Sequence, residues 1–130
     1  MILDTSAVLA IVFGEPGFEV FVDAIAASPS CRISAASFVE ASIVAESRIG
    51  DQGLLQCDSF FRTSRVSVEP VTEEQALLAR QGYSDYGKGR HSAGLNFGDC
   101  FSYALAKSTG ERLLFKGDDF RHTDIQSALE

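Results

Sequence analysis

Short runs of consecutive apolar residues alternate along this chain with longer stretches whose apolar positions recur every three or four residues. Residues 1–4, "MILD", read as a short buried strand, and "SAVLAIVF" before Gly14 reads as a helix with a glycine stop. Phe18, Phe21, Val22 and Ile25 then repeat at helical spacing in "GFEVFVDAIAAS". "CRIS" predicts a second strand leading into the long helix "AASFVEASIVAESRIG", which ends at Gly50. Another helix is predicted over "GLLQCDSFFRTS". "RVSVEPV", alternating and β-branched, predicts a strand, and Thr72 with Glu73 and Glu74 marks a helix start whose helix runs to Tyr86. "GKGRHSAGLN" reads as a glycine-rich basic loop, Asn96 as the N-cap of "FGDCFSYALAKSTG", and "RLLF" as a last buried strand before "KGDDF".

Strands alternating with helices indicate an α/β domain with a parallel sheet covered on both faces. The 130 residues fit a single domain, 1–130, and one core is expected. In such sheets ligands sit beyond the carboxyl ends of the strands. Asp4 ends the first predicted strand and Asp118 and Asp119 follow the last, so both places lie on that rim.

Composition narrows the class. Apolar residues make up 45% of the chain and charged ones 22%, close to soluble globular averages. The longest apolar run, Ala7 to Phe13, is far short of the ~20 residues that span a bilayer, and no signal-peptide pattern opens the chain. A cytoplasmic protein with no membrane partner is expected. Cys31, Cys57 and Cys100 lack CxxC spacing, so they are expected to be reduced, buried thiols rather than disulfides or zinc ligands. A net charge of −7 argues against gripping nucleic acid by bulk electrostatics. Six of the 11 basic residues, however, fall in the last third: Lys88, Arg90, Lys107, Arg112, Lys116 and Arg121.

The acids carry the chemistry. Glu40 is flanked on its predicted helix by Ala36, Ser37, Ile43, Val44 and Ser47, with no Lys or Arg within a turn. An ionised carboxylate without a partner costs several kcal/mol to bury, so Glu40 must be exposed, protonated or matched by charge from elsewhere. Asp99 lies three residues after Asn96, where the helix dipole favours an acid. Each acid also has an ordinary explanation: Asp4 as a helix cap, Asp99 as a first-turn acid, Asp118 and Asp119 as an acidic turn. Their coincidence on one rim points further, because carboxylates gathered there repel and raise one another's pKa until a cation relieves them. An all-oxygen set suits a hard ion, Mg²⁺ or Mn²⁺, and such an ion suits phosphodiester hydrolysis.

"ILDTSA", "SFVEAS", "LNFGDCFSYALAK" and "LLFKGDDF", in that order over essentially the whole chain, resemble the PIN-domain nucleases, specifically the VapC toxins of type II toxin–antitoxin pairs. The resemblance implies a PIN-like three-layer α/β/α sandwich with a short central parallel sheet. It implies a Mg²⁺- or Mn²⁺-dependent endoribonuclease that hydrolyses RNA to 3′-hydroxyl and 5′-phosphate ends. It further implies a homodimer, inhibited by a cognate VapB-type antitoxin that covers the acidic site, with DNA bound only indirectly through that antitoxin. Asp4, Glu40 and Asp99 match the three constant acids, with Asp4 and Asp99 as metal ligands. Either Asp118 or Asp119 supplies the fourth acid. Thr5 and Ser6 match the small hydroxyl residues beside the first acid, as water or ligand positioners or as helix-start residues.

Lys88, Arg90 and His91 in the glycine-rich loop are candidate RNA phosphate contacts. His91 and His122 have no spacing that pairs them with each other or with a nucleophile. Cys100 is turned ~100° from Asp99 on the helix and is expected to pack. The ten phenylalanines are expected to be mostly core, with those of "GFEVFVDAI" and "DSFFRT" the candidates for a partner surface. Two other functions fit the acids: a phosphatase with Asp4 as nucleophile, weakened by Ser6 where a second aspartate is usual, and a catalytically silent binding partner that keeps the fold.

Overall fold

The computed structural model describes residues 1–130. Strand and helix alternate in the order β1 (Ile2–Leu3), α1 (Thr5–Val12), α2 (Glu19–Ala27), β2 (Cys31–Ser34), α3 (Ala35–Ile49), α4 (Asp51–Thr63), β3 (Val66–Glu69), α5 (Glu73–Tyr86), α6 (Phe97–Thr109) and β4 (Leu113–Leu114). A 3-10 turn over Asp119–His122 follows. The strands form one sheet in the order β3-β2-β1-β4, every pairing parallel. No helix is long and apolar enough to cross a membrane.

Register and alternation divide the core in two. Ile2 pairs with Leu113 and Leu3 with Leu114, so the side chains of each pair leave the sheet on the same face. Ile2 and Leu113 join Leu95, Tyr103, Leu105 and Phe115 under α5 and α6. Leu3, Ile33 and Leu114 join Val8, Ala41, Cys57 and Phe61 under α1–α4. The single core expected from length is therefore two clusters on opposite faces of the central strands. Two-residue strands have almost no ladder to hold them. Burying each of these four aliphatic side chains contributes ~1.5–3 kcal/mol, which fixes the central strands by packing.

The phenylalanine expectation needs correction. Only Phe21, Phe61, Phe115 and Phe120 are buried, while Phe97 is 79% exposed. The small helices present more apolar surface than a sheet this short can cover. Gly50 has a positive φ of 66°, so it ends α3 and starts α4 without a linker. Gly53 then lies against the Ala45 carbonyl, where a Cβ would overlap it, and the two helices pack closely.

The parallel order brings the carboxyl ends of β1 and β4 together. Asp4 N–H donates to Leu114 O at 2.9 Å, and Lys116 N–H donates to Ser6 Oγ at 2.9 Å. These bonds tie the segment after β4 to the first turn of α1.

Candidate active site

Asp4 ends β1 and caps α1, with its side chain only 3% exposed as a residue. One carboxylate oxygen, Oδ2, accepts from Ser6 N–H at 3.0 Å and from Ser6 Oγ at 2.6 Å. The other, Oδ1, accepts from Ser102 Oγ at 2.6 Å. Ser102 Oγ lies 3.1 Å from Ser37 Oγ on α3, and Thr5 Oγ1 donates to the Ser37 carbonyl at 3.3 Å. A buried carboxylate is tolerated when donors of this kind surround it. The network fixes the Asp4 side chain and joins α1, α3 and α6 at one point.

Asp99 occupies the first turn of α6 in a capping box. Its N–H donates to Asn96 Oδ1 at 2.9 Å, and its Oδ2 accepts from Asn96 N–H at 3.0 Å. Burial pushes its carboxyl up to about 7, the Asn96 N–H opposes the rise, and the charges of Asp4, Asp119 and Glu40 add to it. Glu40, half-buried on α3, lies against Gly98, where a Cβ would overlap its carboxylate. The bare backbone of Gly98 thus makes the space in which Glu40 approaches Asp99.

Position separates the two aspartates of "KGDDF". Asp119 opens the 3-10 turn and its charge reaches Asp99. The Asp118 side chain is 82% exposed and its Oδ1 lies 3.3 Å from Arg121 Nε, a surface ion pair of little energetic weight. None of the chain's six ion pairs includes Asp4, Glu40, Asp99 or Asp119. Lys116, three residues before Asp119, is engaged with Glu15 at 2.9 Å.

The donor chemistry fits a hard divalent cation: carboxylate oxygens without ion-pair partners, with the charges of Asp4, Asp119 and Glu40 adding to the burial that raises the Asp99 carboxyl. No group of three or more His, Cys, Asp or Glu side chains is placed to hold a metal ion by itself. Mg²⁺ is usually held by one or two carboxylates, with water and substrate phosphate completing its shell. Asp4, fixed by hydroxyl donors, and Asp99, whose carboxyl burial raises, are the residues that would hold such an ion.

Ser102 and Ser37 are functional neighbours that the sequence reading missed. The available signal was a serine inside the otherwise apolar run "CFSYALA", three residues after Asp99. Thr5 and Ser6 stand within the Asp4 network. Lys88, Arg90 and His91 are exposed in a loop pinned by Lys88 N–H to Leu95 O at 2.8 Å, and none of them bonds to the Asp4 network. His91 Nδ1 accepts from Ala93 N–H at 3.0 Å, and its ring packs edge-on against Tyr86. His122 is exposed in the 3-10 turn. All three cysteines are free and buried, and burial, with the charge of Asp99 adding to it, pushes the Cys100 thiol up to about 11.

Fold and site together define an α/β domain with a carboxylate-lined rim at the ends of its parallel strands. The PIN domain family matches residues 1–126. Ribonuclease VapC of Mycolicibacterium smegmatis is 50% identical over 125 residues, which cover 96% of this chain and 97% of that one. Ribonuclease VapC30 of Mycobacterium tuberculosis is 48% identical over 125 residues, covering 96% and 95%. The solved structure of Mycobacterium tuberculosis VapC20, described as a toxin that cleaves the sarcin–ricin loop, matches with a TM-score of 0.78 at 19% identity, over 95% of each chain. A toxin–antitoxin complex from Klebsiella pneumoniae matches with a TM-score of 0.69 at 18% identity, over 95% and 92%. The chain belongs to the PIN-domain family, and within it to the VapC group.

Proposed function

We propose that this chain is a Mg²⁺- or Mn²⁺-dependent endoribonuclease that serves as the toxin of a type II toxin–antitoxin pair. The curated relatives are named ribonucleases and share about half of its residues along nearly its full length. The observation that carries the metal-dependent part is the state of Asp99, whose carboxyl is held near 7 by burial and by three like charges with no basic partner. A cation at this rim supplies Lewis-acid charge to a phosphate and acidifies water. Asp4 is held in one orientation by Ser6 and Ser102, so its contribution to binding is fixed before substrate arrives. Glu40 and Asp119 are free of ion pairs and stand near Asp99, where either orients an attacking water and accepts its proton. Water oxygen bonds to phosphorus, the P–O3′ bond breaks, and the released 3′ oxygen takes a proton, leaving 3′-hydroxyl and 5′-phosphate ends.

The partners of this reading are an RNA substrate, a second copy of the chain and a VapB-type antitoxin, with DNA reached only through the antitoxin. Val39 and Ile43, exposed on either side of Glu40 along α3, offer apolar surface for such contacts. Asp119 is the fourth acid in this reading, because Asp118 points to Arg121. The test is Asp99→Asn: cleavage of RNA is expected to be lost while the circular dichroism spectrum is unchanged. Equal cleavage by the variant contradicts the site.

A further inference from the structure

We propose that the cavity between α5 and α6 receives an unpaired nucleobase of the RNA. The inference rests on the ribonuclease reading of the acidic rim and adds a binding subsite to it. The cavity measures about 680 Å³, and its aromatic lining comes from Tyr83, Phe97 and Phe101. Phe97 is 79% exposed and meets Phe101 edge to face at 5.0 Å. An aromatic ring this exposed, at the mouth of a cavity, loses hydration cost only when something stacks on it.

The rim of the cavity is basic in a chain of net charge −7. Arg80 and Lys88 line it, and the Arg90 guanidinium carbon lies 5.9 Å from the Tyr83 ring centroid. None of these three cations belongs to an ion pair within the chain. Aromatic faces beside unpaired cations match the two halves of a nucleotide, a flat base and a charged phosphate. An apolar peptide would leave the cations unmatched.

The cavity also reaches the residue that caps α6. Asn96 lines it, and the N–H of that residue donates to Asp99 Oδ2 at 3.0 Å. Leu95 N–H donates to Tyr86 O at 2.9 Å, which brings the end of α5 beside the start of α6. Stacking tolerates any base, so this subsite positions single-stranded RNA and excludes duplex without reading a sequence.

The probe is a short single-stranded RNA carrying 2-aminopurine, mixed with the full chain in chelator so that no cleavage intervenes. Binding to the wild-type chain is expected to quench the fluorescence. Phe97→Ala is expected to abolish the quenching and weaken binding about 5- to 150-fold, the ratio equivalent to ~1–3 kcal/mol of base–aromatic stacking, and Phe97→Tyr is expected to restore both. Equal quenching and affinity for wild type and Phe97→Ala overturn the subsite. So does a change of oligomeric state in Phe97→Ala with RNA binding intact, which makes the cavity a protein contact. Cleavage of cellular RNA in Mg²⁺, measured in parallel, separates the two ideas: cleavage without quenching removes the subsite alone, and no cleavage removes the ribonuclease reading.

Discussion

Ser102 donates its hydroxyl proton to the Asp4 carboxylate at 2.6 Å, across 98 positions of sequence. The bond closes the distance between the end of the first strand and the second turn of α6, and it lies wholly inside the protein. Ser102→Ala leaves a buried carboxylate oxygen one donor short. The expected cost is about 1.5–3 kcal/mol, less the few tenths that alanine returns as a better helix former. Urea denaturation of the metal-free chain measures it, and a midpoint equal to wild type contradicts the assignment.

The pH dependence of stability follows from Asp99. Its carboxyl rises from an ordinary 3.8 to about 7 in the folded chain, chiefly through burial. The native state then holds a proton that the unfolded chain releases in this window. Its contribution to stability is complete below pH ~4 and is lost as pH rises towards 7. Thermal melts without divalent ions are expected to fall across that range, and Asp99→Asn is expected to flatten the fall. Added Mn²⁺ is expected to restore stability above pH 7, because it binds the ionised native form.

Asp118 and Asp119 are expected to behave differently on neutralisation. Asp119→Asn removes one of the like charges acting on Asp99, so the Asp99 carboxyl titrates at lower pH and RNA cleavage falls. Asp118→Asn breaks an exposed pair with Arg121 and changes stability by under ~1 kcal/mol. Side-chain carboxyl titration by NMR, with cleavage rates for both variants, distinguishes them. Equal effects contradict the placement.

Gly98→Ala tests the space that Glu40 occupies. A methyl at Gly98 overlaps the Glu40 carboxylate and displaces it from the neighbourhood of Asp99. Alanine is the better helix former by up to ~1 kcal/mol, so stability is expected to change little while RNA cleavage drops. A variant that loses stability and activity together indicates damage to α6 instead.

Much of this arrangement was legible in the sequence because local rules govern it. Asp4 stands where a strand hands over to a helix, and the Asn96–Asp99 capping box at the start of α6 is written three residues apart. Glu40 drew attention because its own helix offers it no cation. Ser102 did not, since a serine within a helix is compatible with any depth and its partner lies on the far side of the chain. The choice between Asp118 and Asp119 was equally closed to pattern, because the 3-10 turn is too short to show a period. Phe97 was expected among core phenylalanines, yet the residue after an N-cap projects from the helix end and escapes the buried face. The single expected core became two because burial on both faces of the central strands is a property of topology.

The most direct measurement is cleavage of a mixed RNA pool by the purified chain, titrated with Mg²⁺ and Mn²⁺ against a chelator, with the new ends identified. Cleavage that appears with metal, leaves 5′-phosphates and disappears in Asp99→Asn is the predicted result. Cleavage that persists in chelator, or is untouched by the substitution, contradicts a metal-dependent reaction at the Asp4–Asp99 rim.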